Sequence, residues 1–307
     1  MNKNNIQLED ADCSLCNSKD KKNIYTVKDY MLQHRFAFNL YQCKNCGHIF
    51  TNPRPNINSI QEFYEKSYHC YKVKTGIKKY LNNFSNFLRF KQFQPYLSSI
   101  NAEVLEIGSS YGEFLNLLKG KGYSVSGIEM DQDAAKVAKE FYNIDVSSEK
   151  IEEHNFPENK YQTIIMLQVL EHLYDPNIVL AKCHKALVQD GYLIVSVPNI
   201  DCIGFKIFGK FWRDLDVPRH LHHFSPKTLQ NISVNNHFEI IQVSYSSAPN
   251  DLIGSLINLL FGNKSGGHSS FFSIYNPILI ILTTPFSFFF SKILKRGARM
   301  TLILKKK

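Results

Sequence analysis

Three sets of residues in this chain have the types and spacings that chemistry needs. Cys13, Cys16, Cys43 and Cys46 form two C-x-x-C pairs with 26 residues between them, and Gly47 supplies a turn after the second. Four thiolates so arranged close around one tetrahedral ion at about 2.3 Å, and a closed zinc site folds a module rather than catalysing a reaction. Redox thiols or unpaired cysteines are the other readings of the same residues. The second set is the glycine turn Gly108-Ser109-Ser110-Tyr111-Gly112 after an apolar run, with Gly127-Ile128-Glu129-Met130 about twenty residues further on. Gly108 lets the backbone pass close to a ligand, and Gly112 opens a helix whose first N–H groups point at it. An acid at the tip of the next strand grips a ribose diol. Neither G-x-G-x-x-G nor G-K-[ST] is present, so the expected cofactor carries a ribose and no pyrophosphate. The third set crowds His220, His222 and His223 with Arg219, Asp214 and Asp216 between Trp212 and Ser225. Imidazoles titrating near neutrality, beside a charged group that orients an acceptor, suit general base catalysis. The same histidines, just before a helix, equally suit structural hydrogen bonds or a metal.

These residues need elements to hold them. Val104 to Ile107 reads as a strand feeding the glycine turn, and a helix from Phe114 stops at Gly120. Asp131 caps a second helix, a third runs from Asp175-Pro176 to Asp190-Gly191, and a fourth begins at Ser225-Pro226. Such alternation predicts a doubly wound, mostly parallel α/β sheet that binds ligands at the carboxyl ends of its strands. The last two strands are expected at Phe238–Tyr245 and Arg299–Lys305. Residues 1–52 form the cysteine module, with short strands at Tyr25-Thr26-Val27 and Phe36-Ala37-Phe38. Residues 53–100 form a helical linker or cap; 101–307 are the main domain, with an active-site loop at 198–225 and an apolar insertion at 248–297. In the cap, Tyr80, Leu81, Phe84, Phe87 and Leu88 recur at helical spacing, which predicts a face packed on the main domain. Tyr64, Tyr68 and Tyr71 either touch ligand or pack, and Cys70, Cys183 and Cys202 read as small buried side chains.

Three motifs carry a family likeness. Glu106 to Gly112 fits E-x-G-x-x-x-G, Gln168-Val169-Leu170-Glu171-His172 fits a V-L-E-H motif after the fourth strand, and Gly191 to Asn199 ends as G-x-L-x-x-x-x-P-N. With the acid-tipped second strand, the chain resembles the class I S-adenosylmethionine-dependent methyltransferases from roughly Val104 to Lys305. The resemblance implies a seven-stranded sheet with an antiparallel last strand and S-adenosylmethionine as cofactor. It places Glu106, Gly108, Ser109 and Gly112 at the methionine end, Glu129 and Met130 at the ribose, and Gln168 at the pocket floor. Adenine contacts are left unassigned in 145–153. His220-Leu221 with Phe224-Ser225 is similar to the H-E-H-L-x-x-F-S stretch of deoxysugar C-methyltransferases, which also carry an N-terminal four-cysteine module. That similarity implies His220 as the base, with His172, His222 and His223 as further candidates. Arg219 stands where those enzymes have an acid, so transfer to a hydroxyl is expected in preference to carbon.

Charge and hydropathy bound the partners. The formal charge is +9, yet the last sixteen residues hold seven Lys or Arg and no acid, and without those seven only +2 remains. The basicity is local, which argues against nucleic acid and for a patch beside something anionic. From Ser265 to Ser291 there is no Asp, Glu, Lys or Arg. The run is long enough to cross a bilayer, but Pro277 and Pro285 are expected to break it. Peripheral membrane contact through 265–299 is one expectation, and a lid or dimer face within protein is the other. Met1 to Asp12 is polar and acidic, so no secretory signal is expected and the compartment is the reducing cytoplasm, at or near the inner membrane face. The expected acceptor is a small-molecule or lipid-linked sugar; a quinone and an RNA base are the alternatives.

Overall fold

The computed structural model describes residues 6–30, 36–64, 76–262 and 272–307. Tyr68, Cys70, Tyr71 and the 265–271 part of the apolar run lie outside the described residues. The N-terminal part carries strands β1 (Leu8–Glu9), β2 (Lys21–Lys28), β3 (Ala37–Cys43), β4 (Ile49–Thr51) and β5 (Arg54–Pro55). Helix α1 (Gly76–Phe93) leads into β6 (Glu103–Ile107), α2 (Glu113–Lys119), β7 (Ser124–Ile128), α3 (Gln132–Tyr142), β8 (Asp145–Ser147) and β9 (Tyr161–Leu167). Then come α4 (Pro176–Ala186), β10 (Leu187–Pro198), α5 (Ile203–Phe208), β11 (His222–His223), α6 (Pro226–Asn235) and β12 (Phe238–Ser246). Helices α7 (Pro249–Phe261) and α8 (Pro277–Phe288) precede the last strand, β13 (Arg299–Lys306).

Seven strands form the main sheet in the order β12-β13-β10-β9-β6-β7-β8. Neighbours from β10 to β8 run parallel, and β13 lies antiparallel between β10 and β12. Alternate residues feed opposite faces, as the two-residue strand period requires. Leu105, Ile107, Ile164, Met166 and Val195 pack under Val179 and Leu180 of α4 and Leu229 and Ile232 of α6. Val104, Ile165, Ile194 and Ile303 pack under Phe90 and Phe93 of α1 and Phe114 and Leu118 of α2. Helix starts follow their caps: Asp131 accepts from the Ala134 N–H at 2.8 Å, Asp175 from Asn177 and Ile178, and Ser225 forms a reciprocal box with Thr228.

Four expectations are corrected. Helix α4 ends at Ala186 instead of Asp190, because Leu187 already pairs with Tyr161 across the sheet; Asp190, at φ 63°, sits in a kink within β10. The stretch 198–225 is no simple loop, since it contains α5, two short 3-10 turns and β11. Pro285 does not break its helix: α8 runs through it, and the hydroxyls of Thr283 and Thr284 donate to the carbonyls of Leu279 and Ile280. The largest departure is α1, whose Tyr80, Leu81, Phe84, Phe87 and Leu88 face outward, with Tyr80 72% exposed. Its inward side instead presents Asn82, Ser85, Asn86 and Arg89 to a cleft, so the polar stripe is the internal one.

The cysteine module is not separate from the rest. Its sheet has the order β11-β4-β3-β2, and β11 comes from far along the chain, pairing His222 with Phe50 and His223 with Ile49.

Candidate active site

A cleft of about 790 Å³ opens at the carboxyl ends of β6, β7 and β9 and under α1. At one end the chain turns sharply after β6. Gly108 and Gly112 both hold φ 73°, a conformation that favours glycine. A Cβ on Gly108 would collide with Val169, and one on Gly112 would come within 2.8 Å of the Ala138 side chain. The amides of the turn are spent internally: Gly108 and Ser109 donate to the Ile128 carbonyl, Gly112 to that of Ser109, and Ser110 to Glu129. These four amides are therefore not the ones that meet a ligand, and the expected N–H contacts fall to the first turn of α2, beside the side chains of the cleft.

Those side chains are buried and partly unsatisfied. Glu106 Oε2, Ser109 Oγ and Gln168 Nε2 line the cleft without a hydrogen-bond partner among the described residues. Burial pushes the Glu106 carboxyl up to about 8, with Arg89 opposing and Glu129 adding to the rise. Glu129 accepts from the Ser110 N–H at 2.8 Å and the Asp131 N–H at 2.9 Å, one on each oxygen, so each oxygen keeps a lone pair. Burial also raises its pKa, against those same backbone N–H groups. Met130 lies at the edge, 39% exposed. Gln168 is held at φ 58° by its N–H bond to Ser196. An orphaned carboxylate oxygen, an orphaned amide donor and a second acid in the same cleft fit an amino-acid nucleoside such as S-adenosylmethionine. Glu106 and Gln168 would hold its amino-acid part and Glu129 its ribose.

Three contributors to the cleft are not legible in the sequence. Arg89 is half-buried, hydrogen bonds to Asn86 at 3.0 Å, stacks over Phe114 and makes no ion pair among the described residues. Asn82, Asn86 and Arg89 recur at helical spacing and resemble a solvent face, so the aromatic stripe opposite them is the one that reads as internal. Glu149, Lys150, Ile151 and Glu152 line the cleft within the unassigned stretch, where Ile151 is a buried apolar residue following β8. Arg299, at the start of β13, bonds Asp251 at 2.7 Å and also reaches the cleft.

The other end of the cleft is assembled from distant segments. His172 lines it, with Nδ1 3.0 Å from both the Tyr64 hydroxyl and the Arg219 carbonyl. A carbonyl only accepts, so Nδ1 carries the proton and Nε2 the lone pair. His220 lies edge-on to His172 with ring centroids 4.7 Å apart. Its Nδ1 donates to the Asp214 carbonyl at 2.8 Å, which again leaves Nε2 as the lone pair, 4.0 Å from Glu171 Oε1 and 3.9 Å from Asp216. Burial holds His172 down at about 3 and lowers His220, so both rings are neutral at pH 7. Glu171 is fully buried, neither oxygen has a partner among the described residues, and burial pushes it up to about 8.

His222 and His223 do not join this group. His222 Nε2 donates to the Leu173 carbonyl, and its Nδ1 accepts from His48 at 3.0 Å. His223 bonds Thr51, whose hydroxyl in turn donates to the His220 carbonyl. Both rings are buried in the seam between the cysteine module and the main domain, away from the cleft, so a catalytic role for them is corrected to a structural one. Arg219 closes the same seam, with bonds of 2.8 and 2.9 Å to Asp29 and 2.6 and 2.9 Å to Asp216.

The four knuckle cysteines gather as the spacing requires. All four sulfurs lie within 4.8 Å of one another, and Cys13–Cys46 and Cys16–Cys43 are each 3.5 Å apart. That is far beyond a disulfide and close to the edge of about 3.8 Å expected between sulfurs around a tetrahedral ion. Cys183 and Cys202 are single and buried.

Sheet order, glycine turn and acid-tipped second strand together define a methyltransferase domain of the class I, S-adenosylmethionine-dependent type. A family profile described as "Methyltransferase domain" matches residues 77–243, more than half of the chain, and the chain belongs to that family. Among solved structures, a SAM-dependent methyltransferase from Archaeoglobus fulgidus aligns with TM-score 0.51 at 21% identity, over 73% of this chain and 94% of that one, which shows the shared fold. The ubiquinone biosynthesis O-methyltransferase of Glaesserella parasuis serovar 5 is 30% identical over 134 residues, 40% of this chain and 57% of that protein. A probable S-adenosylmethionine-dependent methyltransferase of Mycolicibacterium smegmatis is 28% identical over 98 residues, 32% of this chain and 38% of that one. The chain thus spans about half or less of the length of these relatives.

Proposed function

We propose that the protein transfers a methyl group from S-adenosylmethionine to a hydroxyl of a sugar or lipid-linked glycan precursor, at the inner face of a membrane. The observation that carries this reading is one cleft with two chemically distinct ends, Glu106 and Glu129 at one and the neutral His172 at the other, with buried His220 packed edge-on behind it. Bound S-adenosylmethionine supplies a methyl group on a sulfonium, which an aligned oxygen displaces directly. The residues contribute mainly position, since holding two reactants at near-attack distance lowers the barrier more than anything else such a site offers. His172, which lines the cleft, receives the acceptor hydroxyl through its open Nε2 lone pair, and His220 supports it from behind. Tyr64 and the Arg219 carbonyl fix one ring, and the Asp214 carbonyl fixes the other.

The membrane part rests on α7 and α8. Leu259, Leu260, Ile278, Ile281, Leu282, Phe286 and Phe288 are exposed on this helix pair, and Lys292, Lys295 and Arg296 are exposed just after it. At about 1.5 Å per residue α8 is too short to span a bilayer, and no helix among the described residues is long and apolar enough to cross one. An apolar face ending in cations suits the plane of an anionic interface. Asn250 at the start of α7 lines the cleft, so this face begins at its rim. We further propose that Cys13, Cys16, Cys43 and Cys46 hold structural zinc. The match to ubiquinone biosynthesis O-methyltransferases favours a quinone-type acceptor as a second reading.

Incubation of the protein and tritiated S-adenosylmethionine with extract from cells lacking it tests the assignment. Label in a glycan or polyprenyl-linked fraction is expected; label confined to a quinone fraction supports the second reading, and no labelled product at all overturns both. Flotation with anionic liposomes tests the surface, since a variant with Ile281, Phe286 and Phe288 changed to Ser is expected to stay at the bottom of the gradient.

A further inference from the structure

We infer that the outward face of α1 is a second docking surface for an anionic lipid bilayer, so that the cofactor cleft opens against the membrane between α1 and the α7–α8 pair. The inference rests on the membrane reading above and extends it to a separate element of the cleft. Tyr80, Leu81, Phe84, Phe87 and Leu88 recur at helical spacing along one side of α1, and all five are exposed, Phe84 by 54%. An apolar row of that length is unfavourable in water, and on a folded domain it marks a surface that something covers. Asn82, Asn86 and Arg89, on the other side of the helix, line the cleft. Turning the aromatics inward would withdraw those polar groups and unpack Phe90 and Phe93 from the sheet, so the row cannot hide itself.

Charge names the partner. Helix α1 contains no Asp or Glu, and the exposed Lys91 and Lys121 lie 5.7 and 5.9 Å from the rings of Phe87 and Phe90, at the end of the apolar row. A second copy of the chain packed here about a twofold axis would set an acid-free face against itself and leave its lysines without partners, whereas an anionic headgroup layer meets them with opposite charge. The α7–α8 pair repeats the pattern. Asp251, the acid of α7, is buried and bonded to Arg299, and α8 has none before the basic residues that start at Lys292. The two faces are also tied together. Gln92 of α1 bonds Ser244 at 3.2 Å and Tyr96, just past α1, bonds Gln242 at 2.7 Å, both on β12, which leads into α7; Asn250 of α7 then lines the same cleft as Asn82. A bilayer that holds both helices has the cleft mouth at its headgroups, where an acceptor carried on a lipid is presented without leaving the interface. It also holds α1 in place over the cleft, which couples the two binding events: whatever factor lipid adds to cofactor affinity, cofactor adds to lipid affinity.

Partitioning of the full-length protein onto phosphatidylglycerol–phosphatidylcholine vesicles, read by co-sedimentation, tests the surface. Leu81→Gln, Phe84→Gln and Leu88→Gln together keep good helix formers on an exposed face and are expected to weaken partitioning at least about 10-fold. S-adenosylhomocysteine affinity without vesicles should stay within about threefold of wild type, which shows that the triple variant folds. Wild type is further expected to bind S-adenosylhomocysteine about 5-fold or more tightly on the vesicles than off them, a gain the triple variant loses. Unchanged partitioning of the folded triple variant overturns the inference; if the same substitutions turn a dimer into a monomer in sedimentation equilibrium, the face belongs to a second copy. Loss of partitioning in the Ser variant of Ile281, Phe286 and Phe288 with none in the triple variant leaves the α7–α8 reading standing and removes α1 from it. The reverse result keeps α1 and removes α7–α8, and a wild type that ignores the vesicles overturns both.

Discussion

The two ends of the cleft are built in opposite ways. The end carrying Gly108, Gly112 and Glu129 comes from one strand-turn-helix-strand unit, and its geometry is set by local backbone: two left-handed glycines and a carboxylate fixed by two N–H groups. The end carrying His172 and His220 draws on Tyr64, the turn after β9 and the stretch before β11, with Arg219 bridging to Asp29 of the cysteine module. A local unit keeps its shape when distant parts loosen; a site gathered from several segments exists only while the whole seam is closed.

The sharpest way to break that contrast is Arg219→Met. It removes the guanidinium that the buried carboxylates of Asp29 and Asp216 share and is expected to cost about 3 to 5 kcal/mol in urea denaturation. The folded fraction should still bind S-adenosylhomocysteine within about threefold of wild type, a window set against the tenfold that 1.4 kcal/mol produces. Loss of affinity in step with stability would show that the two ends are not separable. Gly108→Val tests the local end. A β-branched residue at φ 73° against Val169 should cost about 3 kcal/mol, or roughly 100-fold in S-adenosylhomocysteine affinity by calorimetry. A smaller effect is expected from Arg89→Met. Removing a half-buried cation that makes no ion pair among the described residues should weaken S-adenosylhomocysteine about 10-fold through its carboxylate and leave adenosine binding unchanged; equal losses for both would remove Arg89 from the cofactor end.

The smallest effect is a proton. The folded-state pKa of Glu106 is raised to about 8 from 4.5, so the unliganded protein loses stability as pH rises from about 4.5 through about 8. Glu106→Gln should flatten that decline in a thermal melt. An ammonium group bound beside Glu106 favours its ionised form, so S-adenosylhomocysteine binding at pH 7 should release up to about one proton, read as a dependence of calorimetric heat on buffer ionisation. A buffer-independent heat would mean that the carboxyl is already ionised.

Legibility followed the same division. The parallel sheet and the capped starts of α3, α4 and α6 could be read because alternation, Asp131, Asp175 and Ser225 are local signals, whereas the antiparallel last strand came only from the family resemblance. The glycine turn was equally plain, although the destination of its amides was not, since that depends on the Ile128 carbonyl in the neighbouring strand. The histidine cluster showed which residues gather but not which way they face; His222 and His223 are taken up by Leu173, His48 and Thr51, partners that no spacing reveals. Helix α1 misled most. A stripe of aromatics normally marks the inner face, and here a cleft lined by polar groups turns the helix over.

The pairing of β11 with β4 ties the cysteine knuckles to the acceptor end by a short mechanical path. Phe50, four residues past Cys46, is zipped to His222, and His220 is only two residues upstream. A thiol lost to oxidation or an emptied knuckle would therefore be felt first as a misplaced imidazole, with the glycine turn untouched. Such a protein would go on sequestering cofactor while turning over no acceptor.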